Sequence, residues 1–144
     1  MPSAIQQVWQ SGATESLKAY RASRDLDPEG GAPAVMVQRM VAARAAGVAF
    51  SADPVSGRQD RVVISATTGL GDQLVGGAVD GDQYVVDAAN GRLITGAPLN
   101  SALTESDALA VAALARRVAT AVGRPQDIEW AFEGPRLYLL QARP

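Results

Sequence analysis

The spacing of apolar positions predicts three helices in this chain. Apolar residues recur every three or four positions over 3–11 and 14–23, which predicts two short helices. A longer stretch, 104–122, carries the same spacing and predicts the main helix of the fold. Thr104 is a favourable N-cap residue and Gly123 a favourable terminator, so the sequence also indicates both ends of this helix.

Short apolar runs between turn-forming residues predict strands. The first run, 34–41, is short, mostly apolar and rich in valine, and it predicts a buried strand. Asn90-Gly91 predicts a hairpin turn, and the glycine-rich stretch 68–77 predicts a loop. Without a visible strand–helix–strand repeat, the predicted fold class is α+β, with one mainly antiparallel sheet and flanking helices. The predicted strands are 34–41, 47–52, 60–67, 82–87, 92–96 and the two arms of a hairpin within 127–144.

The closing stretch, "DIEWAFEGPRLYLLQARP", predicts a hairpin with one polar and one apolar face. Alternate residues of a strand share a face, so Asp127 and Glu129 point to one side of the first arm. A connecting loop of three residues would place Glu129 opposite Gln141 and Asp127 opposite Arg143. The pattern therefore predicts a compact patch of two carboxylates, an amide and a guanidinium.

The loop length also sets the apolar face of this hairpin. A loop over 134–136 places Trp130 opposite Leu140 and buries both side chains. A loop of two or four residues would place Glu129 opposite Leu140 and mix polar with apolar side chains. The alternation therefore favours an odd loop.

Two interpretations of the polar patch stay open from spacing alone. Carboxylate oxygens at strand spacing can hold Mg²⁺, and a neighbouring arginine can bind phosphate through a bidentate pair of hydrogen bonds. The patch would then be a clamp for a metal-bound triphosphate. Alternatively, Asp127 and Arg143 form a cross-strand salt bridge on a solvent-exposed face, with Gln141 as a neutral neighbour.

Composition narrows the classes of protein that the chain can represent. Its 144 residues fit a single domain with its own core. A net charge of −2 gives no basis for nucleic acid or an anionic membrane as a partner. No apolar run has the length of a membrane span or the pattern of a secretory signal, which favours a cytoplasmic location. Without Cys or His, the chain has no disulfide, thiolate metal site, phosphohistidine or histidine base.

Several separated motifs resemble one protein family, in that family's order. Residues 127–144 are similar to the D-x-E and L-x-x-L-Q-x-R-P strands that close the nucleotide-binding domain of the phosphoenolpyruvate synthase and pyruvate phosphate dikinase family. Rifampicin phosphotransferases share that domain. The stretch 34–57, "AVMVQRMVAARAAGVAFSADPVSG", resembles the family's hinge and the strand and turn after it. The stretch 67–87 resembles its Gly-Leu-Gly-acid and Tyr-x-Val region, although Asp72 stands where the family usually has Glu.

The resemblance implies an ATP-grasp fold, with residues 1–144 as its C-terminal lobe, and ATP and Mg²⁺ as ligands. It implies that Glu129 and Gln141 bind Mg²⁺ or the phosphates, that Asp127 supports the metal, and that Arg143 binds the phosphate chain. It also implies a hinge that receives adenine through backbone groups. The hinge residues are Gln38, Arg39, Met40 and Val41.

The resemblance also indicates which parts of the family are missing. The N-terminal lobe with its phosphate-binding lysine, the swivelling domain with its phosphorylated histidine, and the pyruvate-binding barrel have no counterpart in these 144 residues. We therefore expect a part of an ATP-dependent phosphotransferase that is inactive alone. Its expected partners are ATP and either a separate N-terminal lobe or a phosphohistidine-domain protein. The end at "QARP" coincides with the end of the family's nucleotide-binding domain.

Four questions stay open at the level of sequence. The chain could be a cloned subdomain, the product of a truncated gene, or one subunit of a split enzyme. It could instead be a stand-alone nucleotide-binding module, or a decayed interaction module without catalysis. Neither the phosphoryl acceptor nor the oligomeric state is indicated by these residues.

Overall fold

The computed structural model describes residues 2–27, 30, 33–75, 80–96 and 101–144. The chain divides into two compact units, Met1–Met40 and Val41–Pro144. The predicted positions 28–29, 31–32, 76–79 and 97–100 lie outside the described residues. These include part of the loop expected over 68–77.

The first unit consists of short helices, as predicted. Helix α1 spans Pro2–Gln10, a 3₁₀ turn spans Ser11–Ala13, and helix α2 spans Glu15–Ala22. Arg21 donates a hydrogen bond of 2.6 Å from Nη1 to the carbonyl oxygen of Gly30, which ties the end of α2 to the chain that follows it.

The prediction of a buried strand over 34–41 is wrong. Residues 33–43 form neither helix nor strand, and the side chains of Met36 and Met40 are 81% and 77% exposed. In the described sheet, segment 34–41 cannot pair with the strand that follows it in the chain, Ala45–Phe50, because that strand already has a partner strand on each side. An apolar, β-branched sequence favours a strand only where a neighbour supplies hydrogen bonds.

The second unit is built on one antiparallel sheet of six strands, which confirms the predicted α+β fold class. The spatial order of the strands is β4-β3-β2-β1-β5-β6, and every neighbouring pair is antiparallel. The connection over 88–92 contains the predicted Asn90-Gly91 turn. The strands are β1 (Ala45–Phe50), β2 (Arg61–Thr68), β3 (Asp82–Asp87), β4 (Leu93–Thr95), β5 (Asp127–Glu133) and β6 (Arg136–Arg143).

Helix α4 (Glu105–Val122) covers one side of this sheet and forms the core with it. We call this side the helix face and the other side the open face. Buried side chains from β2, β3 and β5 meet the small apolar face of α4 on the helix face. None of the described helices combines the length and apolar character that a bilayer-spanning segment requires. The largest fully buried side chains are Trp130, Tyr84, Phe132, Ile64, Ile128, Val62, Val86 and Val111.

Both predicted ends of α4 are confirmed. Thr104 is the N-cap, and it forms a reciprocal capping box with Asp107, in which each side chain accepts from the other residue's backbone N–H. Gly123 ends the helix with a φ of 78°, a left-handed conformation that costs glycine little.

Asp107 also anchors α4 to the start of the sheet. Its Oδ1 accepts from Nη2 of Arg44 at 2.7 Å, and the Arg44 guanidinium lies 4.5 Å from the centre of the Phe132 ring. Partial burial acts to raise the pKa of Asp107, but hydrogen bonds from Arg44 and Thr104 outweigh it and lower the pKa below 3.8. The carboxylate form is therefore favoured in the folded protein.

Replacing Asp107 with alanine should lower the free energy of unfolding by about 1–2 kcal/mol at pH 7, because both the cap and the Arg44 contact are lost. Because folding lowers the pKa of Asp107, its carboxylate form stabilises the fold at pH values above the ordinary pKa of an aspartate. This stabilisation is lost as the pH falls through the pKa that Asp107 has in the folded protein. The difference between the two proteins, from urea unfolding, should therefore shrink between pH 7 and pH 3. Glu105→Ala, an exposed change in the same helical turn, is the control. An undiminished difference at pH 3 would contradict this role.

The loop of the terminal hairpin differs from the prediction. Glu133 pairs directly with Arg136, so the loop has two residues, Gly134 and Pro135, and not three. Gly134 has a φ of 56°, the positive value that the first central position of a II′ turn requires. Proline, with its fixed negative φ, suits the second central position.

The predicted polar pairing is nevertheless confirmed, because a β-bulge compensates for the shorter loop. Trp130 pairs with Leu139 while Glu129 pairs with Gln141, so Leu140 is the extra residue on β6. The predicted pairing of Trp130 with Leu140 is therefore wrong, although Trp130 is fully buried as expected. A bulge inserts one residue into one strand and shifts the register by one beyond it.

Candidate functional site

The open face of the sheet carries two parallel rows of side chains that cross its strands. The strand registers place Glu129 opposite Val48, and Val48 opposite Ser65. Since paired residues of neighbouring strands share a face, these residues form a line perpendicular to the strands. We call this line the polar row. From β6 to β3 it consists of Gln141, Glu129, Val48, Ser65 and Gln83.

A second row lies two residues further along each strand. Asp127 lies opposite Arg143 on β6 and opposite Phe50 on β1. The row continues with Val63 on β2 and Val85 on β3. Phe50, Val63 and Val85 are half-buried. The open face therefore has charged and amide groups at its β5–β6 end and an apolar floor beside them.

The predicted loop at 68–77 partly covers the other end of this face. It contains a short helix, α3 (Asp72–Val75), that packs on β1. A Cβ placed on Gly71 would lie 3.3 Å from the Cβ of Ala46, and one placed on Gly81 would lie 2.7 Å from Cδ1 of Leu74. Segment 71–74 therefore lies against the sheet there, while Asp72 itself is exposed. Within the two rows, Gln83, Gln141 and Arg143 are exposed, and the other side chains are half-buried.

The hairpin end of the two rows has donor groups that fit Mg²⁺. Asp127 and Glu129 are half-buried, and Gln141 and Arg143 are exposed. The two carboxylates stand two residues apart on one strand, roughly 7 Å between their Cα atoms, and Glu129 has the Gln141 amide opposite it. Mg²⁺ prefers such oxygen donors and needs only one or two carboxylates when phosphates supply further ligands. The described residues hold no cluster of three or more His, Cys, Asp or Glu side chains able to form an all-protein metal cage.

The alternative interpretation of the patch, a cross-strand salt bridge, is not what the structure forms. Asp127 and Arg143 are register partners, yet no ion pair joins them in the described part of the chain. The guanidinium of Arg143 thus stands beside two carboxylates without being bound by either of them. An arginine in this position can bind an anionic ligand.

The expected adenine hinge falls at the boundary between the two compact units. Gln38, Arg39 and Met40 end the first unit and are exposed, while Val41 begins the second and is half-buried. All four residues lie outside regular secondary structure. Their backbone groups are not used by a sheet ladder, as a hinge that binds a base through its backbone requires.

Ser65 and Gln83 are polar residues of the open face that the sequence did not single out. The Gln83 side-chain amide donates a hydrogen bond to Oγ of Ser65. Ser65 lies between the buried Ile64 and Ala66, and Gln83 precedes the buried Tyr84, so the sequence could have placed both on the exposed side of their strands. Only the register reveals that they lie in line with Glu129.

The carboxylates with a shifted pKa, apart from Asp107, lie outside this face. Hydrogen bonds from Ser56 and Val55 lower the pKa of Asp53, and the hydrogen bond from Arg58 lowers the pKa of Asp60. Both residues belong to the exposed connection between β1 and β2. Their shifts are explained by the local turn and the Arg58 ion pair, so they indicate no second catalytic centre.

Comparison with known proteins agrees with these features. The family described as "Pyruvate phosphate dikinase, AMP/ATP-binding domain" matches residues 1–97 and 95–144. A rifampicin phosphotransferase of Streptomyces sviceus is 34% identical over 163 residues, which cover 97% of this chain and 19% of that protein. A probable phosphoenolpyruvate synthase of Methanothermobacter thermautotrophicus is 32% identical over 164 residues, which cover 97% of this chain and 24% of that protein.

The chain therefore spans only about a fifth to a quarter of the length of these relatives. The matched segment contains the whole described sheet and the hairpin that carries the polar patch. The chain belongs to the family of the pyruvate phosphate dikinase AMP/ATP-binding domain, which is the nucleotide-binding domain of phosphotransferases of the pyruvate phosphate dikinase and phosphoenolpyruvate synthase type.

Proposed function

We propose that this chain is the ATP- and Mg²⁺-binding lobe of such a phosphotransferase, and that it forms the C-terminal half of an ATP-grasp domain. The observation that carries the proposal is the pairing of Glu129 with Gln141 on the open face, beside Asp127 and Arg143. The long helix α4 covers the opposite side of the six-stranded antiparallel sheet, which supports placing a nucleotide on the open face.

Each side chain of the patch has a distinct part in this proposal. Glu129 and Gln141 hold the metal and the phosphate oxygens next to it, and Asp127 adds negative charge for the metal. Arg143 binds the phosphate chain through its planar fork of donors. Bound Mg²⁺ would supply positive charge that neutralises the phosphates. The backbone of residues 38–41 receives the adenine.

The protein's contribution to phosphoryl transfer is positioning and electrostatic stabilisation. Transfer needs cationic groups around the moving phosphoryl group, and Lys18 is the sole lysine of the sequence. We therefore propose that the 144-residue chain is inactive alone and acts with an N-terminal lobe or a phosphohistidine-domain protein. The residues that select the phosphoryl acceptor would lie in those partners. We also propose a cytoplasmic location.

NMR titration of the 144-residue chain with Mg²⁺-ATP tests this function. Half of an enclosed site should bind weakly, with a dissociation constant on the order of 0.1–1 mM. Resonances of residues 38–41 and of Glu129, Gln141 and Arg143 should shift. Glu129→Ala should remove the shifts, because the metal loses a ligand at the centre of the patch.

Glu105→Ala is the matched control, since it removes an exposed carboxylate from α4, away from the open face. That variant should titrate like the wild-type chain. If saturating Mg²⁺-ATP shifts no resonance in the patch or the hinge, the proposal fails, and a decayed interaction module becomes the better interpretation.

A further inference from the structure

A second pocket lies at the C-terminal end of α4. It has a volume of about 400 Å³ and is formed by the last turns of α4, the residues after it and both ends of the β1–β2 connection. Small-molecule sites have volumes of roughly 300–1,000 Å³, so this one is large enough for a small ligand. We call it the arginine pocket. Its polar lining residues are Ser51, Gln59, Arg116, Thr120 and Arg124.

The arginine pocket lies on the helix face, away from the polar patch. Phe50 and Asp127 are register partners whose side chains belong to the open face. Ser51 and Gln126, the residues next to them, continue the same ladder, with 3.0 Å between the Ser51 nitrogen and the Gln126 carbonyl oxygen. Alternate residues of a strand point to opposite sides, so Ser51 and Gln126 point towards α4. The pocket is therefore separate from the candidate nucleotide site.

Two arginines give the pocket a positive charge. No acidic residue lines it. Helix α4 has no Asp or Glu after Asp107, so Arg116 has no acidic neighbour one helical turn away on either side. Within the described ranges, the side chains of Arg116 and Arg124 form neither an ion pair nor a hydrogen bond. Both guanidinium groups therefore have donors available to an anion.

The acidic residues of the adjacent β1–β2 connection are bound within that connection. Asp53 accepts hydrogen bonds from the backbone nitrogen of Val55 and from the hydroxyl group of Ser56, at 2.9 and 2.7 Å. Asp60 accepts two hydrogen bonds from the guanidinium of Arg58. Local contacts thus account for both carboxylates without the arginines of the pocket.

The pocket also contains a buried hydroxyl group with an unused hydrogen. Ser51 is only 8% exposed, and its Oγ accepts from the backbone nitrogen of Gln126 at 2.7 Å. Nothing in the described part of the chain accepts the hydroxyl hydrogen of Ser51, and a buried donor without an acceptor is unfavourable. Thr120, one turn after Arg116, adds a second hydroxyl. A ligand in the pocket would therefore meet neutral donors as well as charged ones.

This set of donors suits a phosphate group better than a carboxylate. A phosphate monoester carries a charge of about −1.5 to −2 at pH 7 and has three acceptor oxygens, whereas a carboxylate has one charge and two oxygens. Two guanidinium groups match the charge of the phosphate and can bind it through paired hydrogen bonds. Ala119 and Pro125 give the pocket an apolar wall beside these donors. That wall suits the organic part of a monoester.

We infer that the arginine pocket binds a small phosphate monoester. Arg116 and Arg124 bind the phosphate oxygens, and Ser51 and Thr120 donate hydrogen bonds to them. The inference does not depend on the proposed function, because the pocket shares no residue with the polar patch or the hinge. A nucleotide on the open face and a phosphate monoester on the helix face can therefore be bound at the same time.

NMR titration of the 144-residue chain at pH 7.5 and constant ionic strength tests the inference with three anions. These are glycerol 3-phosphate, inorganic phosphate and succinate. Glycerol 3-phosphate should bind with a dissociation constant on the order of 1 mM and shift the amide resonances of Ser51, Thr120 and Arg124. Inorganic phosphate should bind more weakly because it has no organic part, and succinate more weakly still.

Two variants remove one guanidinium each from the pocket. Arg116→Gln and Arg124→Gln should each weaken the binding of glycerol 3-phosphate by roughly 10-fold, the lower value for a hydrogen bond to a charged group. Both side chains are exposed, so the fold should tolerate the changes, and the unshifted part of the spectrum checks this.

Two further variants are matched controls. Arg117→Gln removes an exposed arginine that is next to Arg116 in sequence but does not line the pocket. Arg143→Gln removes the arginine of the polar patch and so separates the pocket from phosphate bound at the nucleotide site. Both variants should bind glycerol 3-phosphate like the wild-type chain.

Several outcomes would overturn the inference. Equal weakening by Arg117→Gln and Arg116→Gln would reduce the effect to general charge, and shifts absent from the pocket would leave it without a ligand. Succinate binding more tightly than glycerol 3-phosphate would assign the pocket to a carboxylate. Inorganic phosphate binding as tightly as glycerol 3-phosphate would exclude a monoester and identify free phosphate as the ligand. A chain that binds glycerol 3-phosphate here but no Mg²⁺-ATP would refute the proposed function alone.

Discussion

Replacing Trp130 with alanine should lower the free energy of unfolding of the sheet unit by about 3–5 kcal/mol, the usual cost of truncating a buried aromatic residue. Trp130 is fully buried, and its ring meets Phe132 edge-on, with 5.8 Å between ring centres and 72° between planes. A domain of this size has a total stability of about 5–15 kcal/mol, so the variant should be near the limit of folding.

Comparing Trp130→Phe with Trp130→Ala distinguishes the destabilisation caused by lost volume from that caused by the lost aromatic contact with Phe132. The indole Nε1 is buried without a hydrogen-bond partner among the described residues, and such a group costs about 1–3 kcal/mol. Phenylalanine removes that donor and keeps a ring beside Phe132, so it should cost less than half as much as alanine. Urea unfolding followed by circular dichroism measures both variants. If Trp130→Ala has the same free energy of unfolding as the wild-type chain, the burial of Trp130 is contradicted.

Gly47 should be almost as intolerant of change as Trp130. It lies in β1, between Ala66 of β2 and Trp130 of β5. A Cβ at this position would stand 2.0 Å from the carbonyl oxygen of Ser65 and 2.9 Å from Cζ2 of Trp130. Because the closest obstacle is backbone, the strands themselves would have to separate. Gly47→Ala should therefore destabilise the unit by about 3 kcal/mol, the upper part of the range for overpacking.

A double variant identifies the cause of the Gly47 effect. If the Ser65 carbonyl is the main obstacle, a smaller ring at position 130 cannot relieve it. Gly47→Ala combined with Trp130→Phe should then be at least as unstable as Gly47→Ala alone in urea unfolding. Recovery of stability in the double variant would show instead that the indole sets the limit.

The sequence predicted those elements whose signals are local. Thr104 and Gly123 mark the ends of α4 through capping chemistry that needs no distant partner. The alternation of β5 likewise predicted a strand with one buried side. In each case the deciding interaction lies within a few residues along the chain.

The failed strand prediction and the missed line of side chains depend on partners distant in the chain. The segment 34–41 has strand-like composition, but β1 already pairs with β2 and β5, and no pattern in 34–41 could reveal that. The line from Ser65 to Glu129 was missed for the same reason, because it exists only once three strands are in register. The polar patch was predicted because the two strands that carry it are joined by a short turn.

The bulge at Leu140 has a consequence for how hairpins of this kind tolerate insertions and deletions. Loss of Leu140 would turn the bulged ladder into a regular one and leave Gln141 opposite Glu129, because Leu139 already pairs with Trp130. One residue added between Glu133 and Arg136 would lengthen the tip and leave the pairing beyond it unchanged. A hairpin with a three-residue tip and regular pairing therefore presents the same side chains on the open face as a hairpin with a two-residue tip and a bulge. Length changes at the tip and in mid-strand each leave the polar pairing intact, so hairpins with different tips can retain the pairing of Glu129 with Gln141.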